Sequence, residues 1–413
     1  MRTLAILLAA VLGLAARGFE VADGDEGLGT YFVPATGTAN VAAKTKMRPG
    51  AVKKTVAFLG GSITEMDGFR PRVMNLLRVK YPEVDFEEIA AGLSSTCSDA
   101  GAFRLEEDVL SKGAPDLFIV EAAVNDDQDG HFSEQRCIRG MEGCVRQVRL
   151  RRPECAVVIG LMVNRDQYQL LTNGVMPLQY RAHARVATHY GAALADIGSA
   201  LAAEAAKGGM TWEAYRDCHP SPEGCDFVAK VVMEAIDKVF VPVKSVQMGP
   251  LPEPLDDLSY FRAQTVPPEK VRLGAGWQVS VPDWRNIPGV KRDYFTSGPA
   301  VWSETEGSEL SFDFSGTAVS AFLTAGPDAG NLEVSVDGEE FRLLELQANY
   351  GALHYPYVQP LADDLVDGPH TVKLRVKAAL RNGKSYSAVR IHRLYVNGTI
   401  IGSLQGQSPA GGL

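Results

Sequence analysis

Ser62 closes the run Thr55-Val56-Ala57-Phe58-Leu59-Gly60-Gly61-Ser62, a short apolar stretch that ends in a Gly-Gly-Ser turn. Far downstream stands Asp217-Cys218-His219-Pro220. A serine hydroxyl is a poor nucleophile until a base takes its proton, and the base needs a third group to orient it. A serine on a tight turn after a strand and a late histidine beside an acid are the parts of a hydrolytic triad. Taken alone, Gly-Gly-Ser is no more than a flexible turn, so the case depends on what surrounds it.

The surroundings alternate between strand and helix patterns from about residue 53 to residue 240. Candidate strands at 55–59, 85–90, 116–121, 156–162 and 192–196, most of them near-continuously apolar, read as a parallel sheet covered on both faces, a three-layer α/β domain. Between them, Val73, Leu76 and Leu77 mark one helix and 103–110 another. A third spans 133–150, with Cys137, Met141, Cys144, Val145 and Val148 on one face. The last has Ser221 as its N-cap, Pro222 first inside it and Glu223 in its first turn, with Val228, Val231, Val232 and Ile236 as the apolar stripe. His219 is thereby expected on a loop just ahead of a helix.

Four short segments then fall after strands: Gly60-Gly61-Ser62, Ala91-Gly92-Leu93-Ser94, Ala123-Val124-Asn125-Asp126 and His219. Ligands of open parallel sheets bind beyond the carboxyl ends of the strands, near the switch in strand order. A 2-1-3-4-5 order would make the first three loops neighbours there. In this order and spacing the segments resemble the four blocks of the SGNH hydrolases, the GDSL-like family, over roughly the α/β half of the chain. The resemblance implies a flavodoxin-like sheet domain in which Ser62 is the nucleophile, His219 the general base and then acid, and Asp217 the residue that orients His219. It also implies an oxyanion hole built from the backbone N–H groups of Ser62 and Gly92 and the side-chain amide of Asn125. Two positions depart from the family pattern. Its acid usually stands three before the histidine, where this chain has Arg216, so a Ser-His dyad aided by a backbone carbonyl is an alternative to the triad. Ala123 replaces a usual glycine, and its methyl is expected to narrow the crevice.

Other polar residues have plainer uses. Asn164-Arg165 follows the fourth strand, and Arg165 is a candidate substrate contact or a solvated loop residue. His131 reads as surface or substrate rim, and His183 and His189 as ordinary helix residues. Asp126 and Asp127 are an acidic pair, which is not by itself a cation site. No metal and no organic cofactor is implied, so activity is expected to survive EDTA.

The 413 residues, 46% of them hydrophobic, suffice for two domains with separate cores. Met1-Arg2 and the apolar run to Leu14 look like a secretory signal cut after Ala15, with a retained amphiphilic anchor as the alternative. No stretch is long enough to span a bilayer. A net charge of -9 without a long basic run speaks against nucleic acid and anionic membrane surfaces as partners. The six cysteines invite a disulfide reading in an exported protein. Cys137 and Cys144 are excluded from pairing with each other, since seven residues of helix separate them by about 10 Å. Cys218 and Cys225 remain open. The absence of a Cys-x-x-Cys pair speaks against structural zinc.

The expected organisation is a signal peptide at 1–15, the SGNH domain at 50–242, a proline-rich linker at 243–270 and a β-sandwich or jelly roll at 271–402. The last rests on period-two runs: Leu310, Phe312, Phe314; Leu332, Val334, Val336 before Asp337-Gly338; and Val372, Leu374, Val376 after Asp367-Gly368-Pro369. Trp277, Trp284 and Trp302 could form a sugar-stacking surface, though core packing is the plainer use. With the signal pattern and the β-domain, the resemblance to the SGNH hydrolases implies a secreted or periplasmic serine esterase acting on a small ester or an acylated polysaccharide, with carbohydrate O-acetyl groups as the expected target by analogy with exported members of that family. The rival among enzymes is a lipid esterase or thioesterase. The rival of another class is a glycan-binding protein with an inactive hydrolase-like domain.

Overall fold

The computed structural model describes residues 52–242, 249–291, 293–346 and 352–402. The expected signal peptide and the first residues of the expected linker lie outside them. Among the described residues no helix is long and apolar enough to cross a membrane.

Five strands form the first sheet: β1 (Val52–Gly60), β2 (Val84–Gly92), β3 (Leu117–Glu121), β4 (Ala156–Leu161) and β5 (Ala193–Asp196). Their order is β2-β1-β3-β4-β5, the order supposed for the loops to meet, and every pairing is parallel, as the sequence pattern implies. The helices are α1 (Ser62–Glu65), α2 (Phe69–Lys80), α3 (Ser98–Leu105), α4 (Ala123–Gln128), α5 (Glu134–Arg151), α6 (Arg165–Thr172), α7 (Leu178–Tyr190), α8 (Ile197–Ala206), α9 (Trp212–Tyr215) and α10 (Pro222–Val239). The helix expected at 103–110 begins earlier, at Ser98, and its last five residues, Glu106–Leu110, widen into a π-helical turn. Ser221 caps α10 by accepting from Gly224 N at 3.0 Å.

Alternation along each strand divides the core. Ala57 and Leu59 of β1 and Phe118 and Val120 of β3 pack with α3, α5 and α7 on one face. Val56, Phe58, Leu117 and Ile119 pack with α2 and α10 on the other. Strands buried on both faces lose polar alternation, which is why they read as continuous apolar runs. All six cysteines are free thiols, so the disulfide expectation is not met; Cys137 and Cys144 are core residues without exposure.

The C-terminal half is an antiparallel all-β domain. Its axis is the 17-residue strand Glu309–Ala325, which pairs with Gly368–Lys377 along its first half and Leu353–Ala362 along its second, and with Val389–Ile400 along most of its length. Asp337 and Gly338 have φ of 54° and 83°, the left-handed pair of a type I′ turn. Trp277 and Trp284 are buried and Trp302 is half-buried, donating to Ser280 Oγ.

The proline-rich stretch is fastened to the α/β domain by Glu142 of α5, a carboxylate with no exposure. It accepts from Leu255 N at 2.6 Å, Asp256 N at 3.1 Å, Ser259 Oγ at 2.5 Å and Tyr190 Oη at 2.7 Å. Tyr260 follows, its ring 5.0 Å from that of Phe103 on α3. A buried carboxylate offsets its desolvation only with such a full set of donors. Glu142→Ala is expected to destabilise the protein by about 3 kcal/mol, because four donors, two of them buried and two half-buried, lose their acceptor; denaturant unfolding followed by tryptophan fluorescence checks this.

Candidate active site

The carboxyl ends of β1, β2, β3 and β4 lead to Ser62, Gly92, Asn125 and Arg165 respectively. Ser62 opens the one-turn helix α1 directly after Gly60 and Gly61. The turn is tight because its neighbours are close. A Cβ on Gly61 would fall 2.1 Å from Asn125 Oδ1, and one on Gly92 would fall 2.2 Å from Glu65 N. Glycine at these two places lets the three loops meet.

His219 reaches the serine from the loop between α9 and α10. Its Nε2 lies 2.7 Å from Ser62 Oγ. The two residues the sequence singled out are thus in hydrogen-bond contact, with the ring poised to accept the hydroxyl proton. Asp217 does not reach the ring. Its Oδ1 is 3.9 Å from Nδ1 and accepts instead from His219 N at 2.6 Å. Cys218 Sγ, at 3.5 Å, is nearer to Nδ1. Arg216, at the place of the usual family acid, has φ 95° and donates from Nε to His219 O at 2.9 Å. Its guanidinium braces the backbone of the histidine.

Asn125 is buried, with Nδ2 donating to Asp129 Oδ2 at 2.8 Å. Its second amide hydrogen is not used in that bond. Ala123 has no exposure and its methyl sits in the core, so it does not narrow the crevice. Arg165 is exposed at the start of α6, behind a capping box made by Asn164 and Gln167. His131 is exposed, and His189 Nε2 lies 2.7 Å from Glu253 O.

Several groups that hold this arrangement escaped the sequence reading. Glu121, the last residue of β3, is buried beneath the nucleophile turn. Its Oε1 accepts from Gly61 N at 2.8 Å and from Thr64 Oγ1 at 2.6 Å. Burial raises its carboxyl above the usual range, while the Thr64 and Gly61 hydrogen bonds work against that rise. Arg104 of α3, also buried, donates to Gly60 O at 2.9 Å and Ala91 O at 2.7 Å, tying the ends of β1 and β2. Glu65 Oε2 accepts from Ser94 N at 2.7 Å and joins α1 to the loop after β2.

His183 is not merely an ordinary helix residue. Its Nε2 is 3.0 Å from Asp126 Oδ2, and Asp126 in turn accepts from Ser98 N and Ser98 Oγ, both at 2.7 Å. This fixes the residue beside Asn125. The sequence signal available was weak: an acid next to the loop asparagine and a histidine on the buried face of α7. Nearby, burial pushes the Asp99 carboxyl up to about 6 despite its ion pair with Arg136.

Residues 58–227 match the GDSL-like lipase/acylhydrolase family. Over the whole fold, the chain is similar to a two-domain esterase active on acetylated mannans, crystallised with mannopentaose. That likeness has a TM-score of 0.67 at 25% identity and covers 86% of this chain and 92% of the other. A second structure, described as a two-domain esterase active on acetylated mannans, gives a TM-score of 0.68 at 24% identity, with 85% and 92% covered. No curated protein sequence matches the chain.

The Glu121 carboxylate makes a specific demand on the nucleophile. Misplacing a reacting group by about 1 Å can cost about 10²-fold in rate. Glu121→Ala is therefore expected to slow labelling of Ser62 by a fluorophosphonate probe by about that factor, and Glu121→Gln, which keeps an acceptor, to restore most of it. Labelling rates measured on the folded fraction check this.

Proposed function

Residues 58–227 form a GDSL-like lipase/acylhydrolase domain, and from that premise we propose that the chain is a serine esterase that removes O-acetyl groups from a polysaccharide. The observation that carries the proposal is the 2.7 Å contact between Ser62 Oγ and His219 Nε2 at the carboxyl edge of the sheet. His219 takes the hydroxyl proton through Nε2 as Ser62 attacks the ester carbonyl. The oxyanion is met by Ser62 N, Gly92 N and the remaining amide hydrogen of Asn125. His219 then gives its proton to the leaving alcohol, and an acetyl-enzyme remains. Water, activated by the same Nε2, releases acetate.

Polysaccharide as the substrate is supported by the likeness to the mannan-active esterase, which extends through both domains. The His219 side chain is 43% exposed, an open setting suited to an acetyl group on a polymer surface. Arg165, on the same edge of the sheet, is proposed as a substrate contact, and the β-domain as a carbohydrate-binding module. Export to the periplasm or beyond is proposed from the N-terminal sequence pattern. The binding-protein alternative has one observation in its favour, the 3.9 Å gap between Asp217 and Nδ1; the Ser62–His219 contact weighs against it.

Purified protein is expected to hydrolyse p-nitrophenyl acetate faster than a long-chain ester and to release acetate from acetylated mannan. Ser62→Ala should lower kcat by about 10⁴-fold or more. Failure of the wild type on all three substrates would overturn the esterase reading. Preference for the long chain would move it to lipids.

Asp217 is proposed as the third member of the triad, acting on the ring from beyond hydrogen-bond distance. Asp217→Ala is accordingly expected to lower kcat by about 10- to 100-fold, short of the roughly 10⁴ typical of a bonded triad acid. A loss under tenfold, measured under saturating acetate ester, would leave a Ser-His dyad.

A further inference from the structure

We propose that Asp217, Cys218 and His219 form a binding site for a thiophilic divalent cation such as Zn2+ or Cd2+, and that occupancy switches catalysis off through His219 Nδ1. The inhibitory half depends on the esterase reading above; the binding half does not.

One carboxylate oxygen, the thiol sulfur and a ring nitrogen of these residues lie within 4.8 Å of one another. In tetrahedral zinc sites the metal–sulfur distance is about 2.3 Å and the metal–nitrogen distance about 2.0 Å, which sets the sulfur–nitrogen edge at about 3.5 Å. Cys218 Sγ and His219 Nδ1 are 3.5 Å apart. The nitrogen–oxygen edge of the same tetrahedron is about 3.4 Å, against 3.9 Å for Nδ1 and Asp217 Oδ1. Asp217 is 56% exposed and has room to close that difference. Two edges of a coordination polyhedron are thus nearly present, on a loop open to solvent.

The donor types select the ion. Thiolate and imidazole favour zinc-like cations over magnesium or calcium, whose preferred ligands are oxygens. Burial first, then the charges of Asp217 and Asp129, hold the Cys218 thiol above its usual range. The same carboxylates attract a cation, and Arg216, 3.8 Å from Asp217 Oδ2, opposes it. Binding exchanges one proton for the metal: Cys218–SH and M2+ give Cys218–S–M+ and H+, released to solvent.

The consequence for catalysis follows from tautomers. A general base working through Nε2 must carry its ring proton on Nδ1. A metal on Nδ1 leaves a neutral ring only if the proton sits on Nε2, the nitrogen facing Ser62. That nitrogen can then donate but not accept. The step lost is proton abstraction, so kcat should fall with occupancy while KM for a small ester stays the same.

The test uses the full chain, stripped with EDTA and dialysed, and titrated with Cd2+. The expected result is an ultraviolet thiolate-to-cadmium absorption saturating at one equivalent, absent in Cys218→Ser and in Cys218→Ala and retained in Cys97→Ser. Turnover of p-nitrophenyl acetate should fall in step with the absorption, with Zn2+ acting likewise, and return on adding EDTA. Relative to its own metal-free rate, Cys218→Ser should need about 100-fold more metal for half-inhibition. No absorption in the wild type, or the same absorption in the Cys218 variants, overturns the site. Absorption with unchanged turnover overturns the switch. Absorption in a protein whose metal-free form turns over neither p-nitrophenyl acetate, nor the long-chain ester, nor acetylated mannan upholds the site and overturns the esterase reading instead.

Discussion

One hydrogen bond, Ser62 Oγ to His219 Nε2, joins residues 157 positions apart, and much of the α/β half can be understood as the means of making it. Ser62 is held from below by Glu121 and from the side by the meeting of Gly61 with Asn125 and of Gly92 with Glu65. Arg104 ties the ends of the two strands behind it. His219 is held from the other side, by Arg216 on its carbonyl and by the capped start of α10. This is the preorganisation that acyl transfer needs, since donors and base must be in place before charge develops.

The groups that supply this rigidity are costly ones. Glu121, Asp126, Arg104 and His183 are all buried. A buried ion or dipole is tolerated only where its partners are in place, and removing one partner leaves the other exposed to the full desolvation cost. The network therefore specifies one arrangement of the loops more than it stabilises the fold. The β-domain adds support from outside. Ala318, Phe322, Val358 and Tyr395 join the core cluster on the α3–α5 side of the parallel sheet, while Val319, Ala321, Leu323 and Val396 face the β-domain's own interior.

That shared strand explains what was legible in the sequence. The central strands β1, β3 and β4 could be read because strands buried on both sides announce themselves as apolar runs, and Ser221-Pro222 marked a helix start by its capping chemistry; the strand order entered only as a supposition about which loops would be neighbours. The same rule hid half of the strand Glu309–Ala325. Its first half alternates and was read; its second half is buried throughout, with no polar-out period, because one face meets the α/β domain and the other the β-domain core. Glu121 and Glu142 were invisible for a different reason. A buried acid is defined by partners distant in sequence, and no local pattern records them. The serine, the histidine and the order of the blocks were readable because that chemistry restricts residue type as well as spacing.

The histidine loop is where local sequence and expected geometry part. The usual position of the acid holds Arg216, whose backbone sits at φ 95°, a conformation that costs a non-glycine residue of order 1–3 kcal/mol. Something must offset that, and the two guanidinium contacts to His219 O are the evident candidates. With the guanidinium on the carbonyl side, Asp217 is directed to the backbone N–H of His219, and the ring nitrogen is left facing a thiol. With a guanidinium where the family pattern has a carboxylate, the loop is braced through the carbonyl of His219, and the nearest carboxylate, Asp217, stands 3.9 Å from the ring. This opens Nδ1 to chemistry that a bonded aspartate would have blocked.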